Sequence, residues 1–237
     1  MSSHPELKVD WCSYEAAKYA VMNWHYSHSM PRSKMNTFGI WENNKFVGSI
    51  VFSYGATPQI GGPYNLTQYE ICELTRVAFR NHEYPITRSL SRTISIFKKF
   101  SPNMRLIVSF ADSEQEHLGI IYQAGNWIYT GVSKVERVGF IINGKKVHTR
   151  TIGLMPGGVQ SLQWVQKYLD KKAREWKGQE KFRYLYPLDR KMRKQIEPLR
   201  KPYPKRATSI GSDVPAVQAG EGGANPTVAL KVANKKL

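Results

Sequence analysis

The chain has 237 residues and a formal net charge of +17, from 35 Lys and Arg against 18 Asp and Glu. Hydrophobic residues are 41% and aromatics 12%, enough for a core, which excludes wholesale disorder. No apolar run approaches the ~18–20 residues of a membrane span. The opening Met1–Glu6 does not read as a signal peptide. The two cysteines, Cys12 and Cys72, argue against a disulfide scaffold and for a reducing compartment. So large a charge has three usual partners: nucleic acid, an anionic membrane face or an acidic protein.

In chain order, Asp10–Ser27 carries Ala16, Ala17, Ala20, Val21 and Trp24 at helical spacing, with Asp10 or Ser13 as cap, and predicts a helix that Pro31 ends. Phe38–Trp41 and Phe46–Tyr54 flank Glu42-Asn43-Asn44-Lys45, a hairpin pattern. Gly55–Asn65 is a Gly- and Pro-rich loop. Tyr69–Phe79 predicts a strand, Arg88–Phe100 a helix with Leu90, Ile94, Ile96 and Phe97 on one stripe, and Arg105–Ala111 a short buried strand. Glu114–Gln123 predicts a helix closed by Gly125, and Trp127–Gly131 a strand. Val138–Ile142 and Lys146–Ile152 flank Asn143-Gly144, a strong hairpin turn. Ser161–Trp176 predicts an amphipathic helix. The order predicts a mixed α/β (α+β) domain, a central mixed sheet flanked by helices, with a βαβ unit from Tyr69 to Ala111.

The charge is uneven. Residues 171–206 hold 14 basic residues against four acidic ones, ten of the seventeen net charges. Trp176, Phe182, Tyr184, Tyr186 and Tyr203 are interleaved with them. Cations for phosphates and rings for bases make a nucleic-acid surface, and Lys171, Lys172, Arg174, Lys181, Arg183, Arg190, Lys191, Arg193 and Lys194 are its candidate contacts. The plainer reading is a solvated face that keeps the protein soluble. The expected organisation is a catalytic domain over 1–160, a basic extension over 161–206 and a disordered tail over 207–237.

Several residues suit chemistry. His25 and His28 lie three apart near a helix end and with Tyr26 and a carboxylate offer an iron-type site, or else simply decorate a helix C-terminus. Asp112 follows a buried strand, where α/β sheets keep their sites, and it is also a natural helix cap. Glu73 and Arg76, three apart on one strand, face opposite sides unless a bulge intervenes.

Leu74–Phe79 with the loop to Arg88-Ser89-Leu90-Ser91-Arg92 resembles the acyl-CoA motif of the GCN5-related N-acetyltransferase fold. Ser89 and Ser91 stand where that family carries smaller residues. Ile120–Trp127 resembles its later signature. This resemblance implies cofactor contacts from Arg88, Ser89, Ser91 and Arg92, a bulge near Glu73 and Arg76, and Tyr122 as acid toward a leaving thiolate.

A narrower resemblance spans most of residues 11–204. Trp24-His25-Tyr26-Ser27-His28, Tyr69–Arg76, Ser109-Phe110-Ala111-Asp112, Tyr122–Gly131 and Tyr184–Leu188 resemble the Mom proteins of Mu-like bacteriophages. This resemblance implies conversion of adenine in double-stranded DNA to N6-carbamoylmethyladenine, protection of phage DNA from restriction, and action in the cytoplasm of the bacterial host. It implies catalytic roles for His25, Tyr26, Glu73, Arg76, Ser109 and Asp112, and iron held by His25, Tyr26 and Asp112. The group donor, acetyl-CoA-like or an activated glycine unit, stays open, as does the oligomeric state, homodimer included. Trp24, Tyr26, Trp41 and Tyr69 are the candidate stackers for an extruded base. The alternatives are an N-acetyltransferase acting on another amine and a non-enzymatic DNA-binding protein.

Overall fold

The computed structural model describes residues 6–55, 57–112, 118–133, 137–178 and 180–205. Residues 1–206 form one compact unit; the expected tail over 207–237 lies outside the described residues.

The first departure from expectation comes at the N-terminus. Leu7–Trp11 is a strand, β1, and the helix α1 runs only over Tyr14–Trp24. Pairing with the next strand claims Leu7–Trp11, and Ser13 starts the helix by accepting the Ala16 N–H at 3.1 Å. β2 (Met35–Glu42) and β3 (Lys45–Ser53) then form the expected hairpin. Asn43 and Asn44 turn it with φ of 48° and 64°, the left-handed pair that matches strand twist. β4 (Ile71–Phe79), α2 (Ile86–Phe100) and β5 (Leu106–Asp112) make the βαβ unit. α3 covers Ile120–Ala124; the start of the longer helix expected there falls on residues outside those described. β6 is Ile128–Val132.

The chain then leaves the main sheet. β7 (Arg137–Ile142), β8 (Lys145–His148) and β9 (Arg174–Lys177) form a separate three-stranded sheet, packed with α4 (Thr149–Gly153) and α5 (Leu162–Tyr168) around Phe140, Ile152, Val165 and Ala173. The expected strand to Ile152 stops at His148, whose Nδ1 caps α4 by accepting the Arg150 N–H at 3.0 Å. The expected helix to Trp176 stops at Tyr168. The Leu169 and Asp170 N–H groups both turn back to the Val165 carbonyl, at 2.9 and 3.0 Å. The Asp170 carboxylate then accepts from the Asn143 and Lys172 amides, each at 2.8 Å, and releases residues 174–177 to pair with β7.

β10 (Lys181–Pro187) returns to the main sheet, and α6 (Arg190–Ile196) follows, capped by Asp189. The sheet order is β1-β2-β3-β4-β5-β10-β6, with β4 and β5 the parallel pair and every other pairing antiparallel. A boundary at 160/161 therefore does not follow the packing. Phe140 and Ile152 share a core with Val165 and Ala173, and β10 is an internal strand. Its buried Tyr184 and Leu185 complete the main core, at roughly 1.5–3 kcal/mol per large apolar side chain.

α1 covers one face of the sheet through Ala17, Ala20 and Val21 against Val51 and Ala78. α2 covers the other with Leu90, Ile94 and Phe97, the last stacked on Phe52 at 4.6 Å.

Candidate active site

β4 and β5 pair only over Ile71–Glu73 and Leu106–Val108. Beyond that point their ladder is open, and parallel strands that part leave carbonyls to be satisfied by other means. Ser109 meets this need. Its Oγ lies 2.9 Å from the Leu74 carbonyl and 2.8 Å from the Tyr122 hydroxyl. A carbonyl only accepts, so Ser109 donates to Leu74 and Tyr122 donates to Ser109. Burial pushes the Tyr122 phenol up to about 12, and the neighbouring Tyr26 and Glu73 add to this. Tyr122 is therefore a neutral donor whose proton is committed to Ser109.

The second feature is a bulge. Val51 pairs with Arg76 and Phe52 with Leu74, leaving Thr75 as the extra residue of β4. Thr75 bonds the Val51 carbonyl through its hydroxyl at 3.1 Å. Ser53 pairs with Glu73, so Glu73 and Arg76 both share the Ser53–Val51 side of the sheet, the face under α1. The expected bulge is present, and it unites two residues that plain alternation would separate.

Arg76 is held firmly. Its Nε donates to the Ser29 carbonyl at 2.8 Å and its Nη1 to the Thr75 carbonyl at 2.7 Å. Burial works against its charge, and Tyr26 and Glu73 support it. Tyr26, 44% exposed, comes from the turn after α1 and hydrogen-bonds the Asp112 carboxylate at the end of β5. Burial raises the Tyr26 phenol, Asp112 raises it further, and Arg76 opposes both. Asp112 also faces the Lys181 ammonium at 3.5 Å across the β5–β10 pair. Arg183, two residues along β10, donates to Thr130 Oγ1 at 2.8 Å. Two residues singled out for a DNA surface thus stand on the strand beside Asp112.

His25 stacks on Tyr26 with ring centroids 4.4 Å apart. Its Nδ1 accepts the Ser27 N–H at 3.1 Å, so the neutral ring carries its proton on Nε2. His28 turns away and bonds the Met22 carbonyl through Nδ1 at 2.7 Å. These details bear on the iron site suggested by the sequence. Ligation needs a bare imidazole nitrogen and a phenolate. Here the His25 Nδ1 is engaged by Ser27, and burial and Asp112 favour the protonated Tyr26 phenol. Among the described residues no group of three or more His, Cys, Asp and Glu gathers. In this arrangement the described residues do not present a donor set that fits an iron ion.

The expected cofactor contacts divide. Ser89 is fully buried and its hydroxyl has no hydrogen-bond partner among the described residues, whereas Ser91 is exposed. Arg88 lies over the Tyr84 ring at 4.4 Å. Arg92 is engaged with the Leu7 carbonyl at 2.6 Å. The loop before α2 is held by a residue the sequence did not mark. Buried Glu42 accepts the Glu83 and Tyr84 N–H groups at 2.7 and 3.0 Å. Ser29, which orients Arg76, was also missed; it acts through a backbone carbonyl, which has no sequence signature.

Of the candidate stackers, Tyr26 lies at the site. Trp24 lines a cleft of about 390 Å³ with Glu42, Phe46 and Arg80. Trp41 packs on Phe46 and beneath Lys8. Tyr69 sets its edge against Tyr54, at the end of β3. The remaining basic candidates are outward-facing: Lys171, Lys172 and Arg174 beside and on β9, and Arg190, Lys191, Arg193 and Lys194 on α6.

Fold and site together define a mixed α/β protein with a parted parallel strand pair and a carboxylate, phenol and guanidinium at its mouth. Similar solved structures include an N-acetyltransferase from Staphylococcus aureus Mu50, 11% identical, covering 77% of this chain and 98% of that one with a TM-score of 0.41. FeeM, an N-acyl amino acid synthase from uncultured soil microbes, is 9% identical over 81% of this chain and 94% of its own, with a TM-score of 0.45. The model of the Mom protein family matches residues 6–205, and the chain belongs to that family. A relative from Escherichia phage Mu, methylcarbamoylase mom, is 24% identical over 210 residues, 84% of each chain.

Proposed function

We propose that this protein is a phage DNA modification enzyme that places a carbamoylmethyl group on adenine N6. The observation that carries the reading is the convergence of Tyr26, Asp112, Arg76 and Glu73 on one face, beside cationic β10, in a chain of the Mom family. The target amine is a weak nucleophile, because its lone pair is delocalised into the ring, and it is hidden in a base pair. Adenine must leave the stack, and the exposed Tyr26 ring, stacked on half-buried His25, is a surface for an unstacked base.

Asp112 is the base. It takes a proton from N6 as nitrogen forms its bond to the methylene carbon of the donor, whose leaving group departs with the bonding pair. Tyr26 and Lys181 orient the carboxylate. Arg76, held by Ser29 and Thr75, presents its charge to the developing negative charge of the leaving group. The donor is an activated carbamoylmethyl or glycine-like unit. Lys171, Lys172, Arg174 and the α6 cations hold the phosphate backbone, and the reaction takes place in the cytoplasm of the bacterial host, where it shields phage DNA from restriction.

Mass spectrometry of nucleosides from DNA of cells expressing the protein tests the reading. The expected product is a deoxyadenosine heavier by a carbamoylmethyl group less one hydrogen; its absence with soluble protein rejects the proposal. Metal analysis of active protein tests the iron expectation separately. The parted strands favour one further reading, N-acyl transfer from a thioester carrier, which predicts turnover without DNA.

A further inference from the structure

The small sheet and its two helices, inserted between β6 and β10, have a task the site does not explain. The segment 137–178 holds nine Lys and Arg against two acids. It also carries an apolar tip. Leu154, just after α4, is 79% exposed, more than any other large apolar side chain among the described residues, and Val159 across the turn is 53% exposed. Exposing such side chains beside a cationic surface forgoes burial that each would otherwise contribute.

The tip is stiff. The Leu154 N–H bonds the Arg150 carbonyl at 3.2 Å. Met155-Pro156-Gly157-Gly158 is a tight turn, with the Gly158 N–H on the Met155 carbonyl at 2.9 Å and Gly157 at φ 65°, a conformation that suits glycine. A side chain at Gly158 would stand 2.0 Å from the Ile152 carbonyl oxygen, so this loop lies directly on α4, whose Ile152 is buried in the small core. The module joins the main sheet at the Asp112 end: β9 stops at Lys177, four residues before Lys181, the partner of Asp112, and His148, the cap of α4, pairs with Gly139 near the start of β7. Burial and the charges of Arg150 and Arg32 hold the His148 imidazole below its usual range, and Arg32 lies three residues beyond Ser29, the anchor of Arg76.

We propose that Leu154 is a wedge that enters the DNA stack and occupies the gap left when adenine is extruded. The inference rests on the adenine reading above. Proteins that open a duplex insert apolar side chains between bases to offset the few kcal/mol of unstacking, and they surround that wedge with phosphate-binding cations. A rigid Leu on a cationic module beside the site has this chemistry. The occupant is duplex DNA, favoured over a second copy of the chain by the charge of the module, which would repel itself.

The test uses the whole protein and DNA duplexes carrying 2-aminopurine in place of adenine within randomised flanks. This base brightens when it leaves the stack and needs no group donor. Wild-type protein is expected to raise the fluorescence, Leu154→Ala to lose at least about fivefold of that rise at saturating protein while binding DNA nearly as well, and Leu154→Phe to keep it. Leu154→Ala is expected to melt with the wild type, since the side chain is exposed. A full rise with Leu154→Ala overturns the wedge and leaves the adenine reading standing. No rise with DNA-bound wild type overturns the extrusion itself, and the wedge with it. A matching loss of binding in Leu154→Ala makes the tip an affinity contact and also overturns the wedge.

Discussion

Replacing Ser109 by Ala probes the point where the two parallel strands part. The side chain is fully buried and serves two partners, the Leu74 carbonyl at 2.9 Å and the Tyr122 hydroxyl at 2.8 Å. Alanine leaves both without a partner in a site closed to water. A buried polar group stranded in this way costs ~1–3 kcal/mol, so the pair predicts a loss of about 2–4 kcal/mol. In a folded unit of this size that lowers Tm by roughly 5–15 °C. Tyr122→Phe is milder, about 1 kcal/mol, because Ser109 keeps its bond to Leu74. Once Ser109 is gone, removing the stranded Tyr122 hydroxyl restores stability, so the double variant is expected to be ~1–2 kcal/mol better than the sum of the single losses. Urea unfolding of the four proteins gives these values. A Ser109→Ala loss under about 0.5 kcal/mol, or additivity within ~0.3–0.5 kcal/mol, refutes the assignment of donor and acceptor.

Further outcomes follow from the same geometry. Tyr122→Phe is expected to keep DNA modification within about threefold of wild type, because its proton is committed to Ser109; loss of a working general acid would instead cost ~10²–10⁴-fold. Stability should fall in alkali. The Tyr122 phenol rises from its ordinary 10 to about 12 on folding, so its contribution is complete below pH 10 and is lost as pH climbs toward 12. Tyr122→Phe should flatten that decline in pH-dependent urea titrations, and an unchanged slope contradicts the burial argument. Replacing Arg190, Lys191, Arg193 and Lys194 by Gln should weaken duplex binding and reduce the salt slope by ~0.9 for each phosphate no longer neutralised, with no change in melting temperature. An unaltered slope removes α6 from the DNA surface.

Much of this was legible in the sequence, and the failures have local causes. The Asn43-Asn44 and Asn143-Gly144 turns announce their hairpins, because few residues accept left-handed backbone. The stripe of α2 announces its buried face. Periodicity failed where pairing overrode it: Leu7–Trp11 joined β2, and Arg174–Lys177 joined β7 once Asp170 had closed α5. Four of the candidate residues, Tyr26, Glu73, Arg76 and Asp112, come to one face of the sheet. Ser109 and Tyr122 sit at the parting of the strands. The role of Glu42 was invisible, since a carboxylate at a hairpin end ordinarily meets water rather than two backbone amides of a distant loop. The basic segment was read as one appendage. In fact β10 threads through the sheet, and its Lys181 faces the Asp112 carboxylate.

The central claim is that Asp112 acts as the base for an adenine amine in DNA, and Asp112→Asn tests it most directly. The change keeps shape and removes charge. Its ion pair with half-exposed Lys181 is worth ~0–1 kcal/mol, so folding should be almost untouched. Nucleoside mass spectrometry of DNA from cells expressing equal soluble amounts of the two proteins should show carbamoylmethylated adenine with wild type and ~10²–10⁴-fold less with the variant. Modification undiminished in Asp112→Asn, or its absence with wild type, contradicts the account.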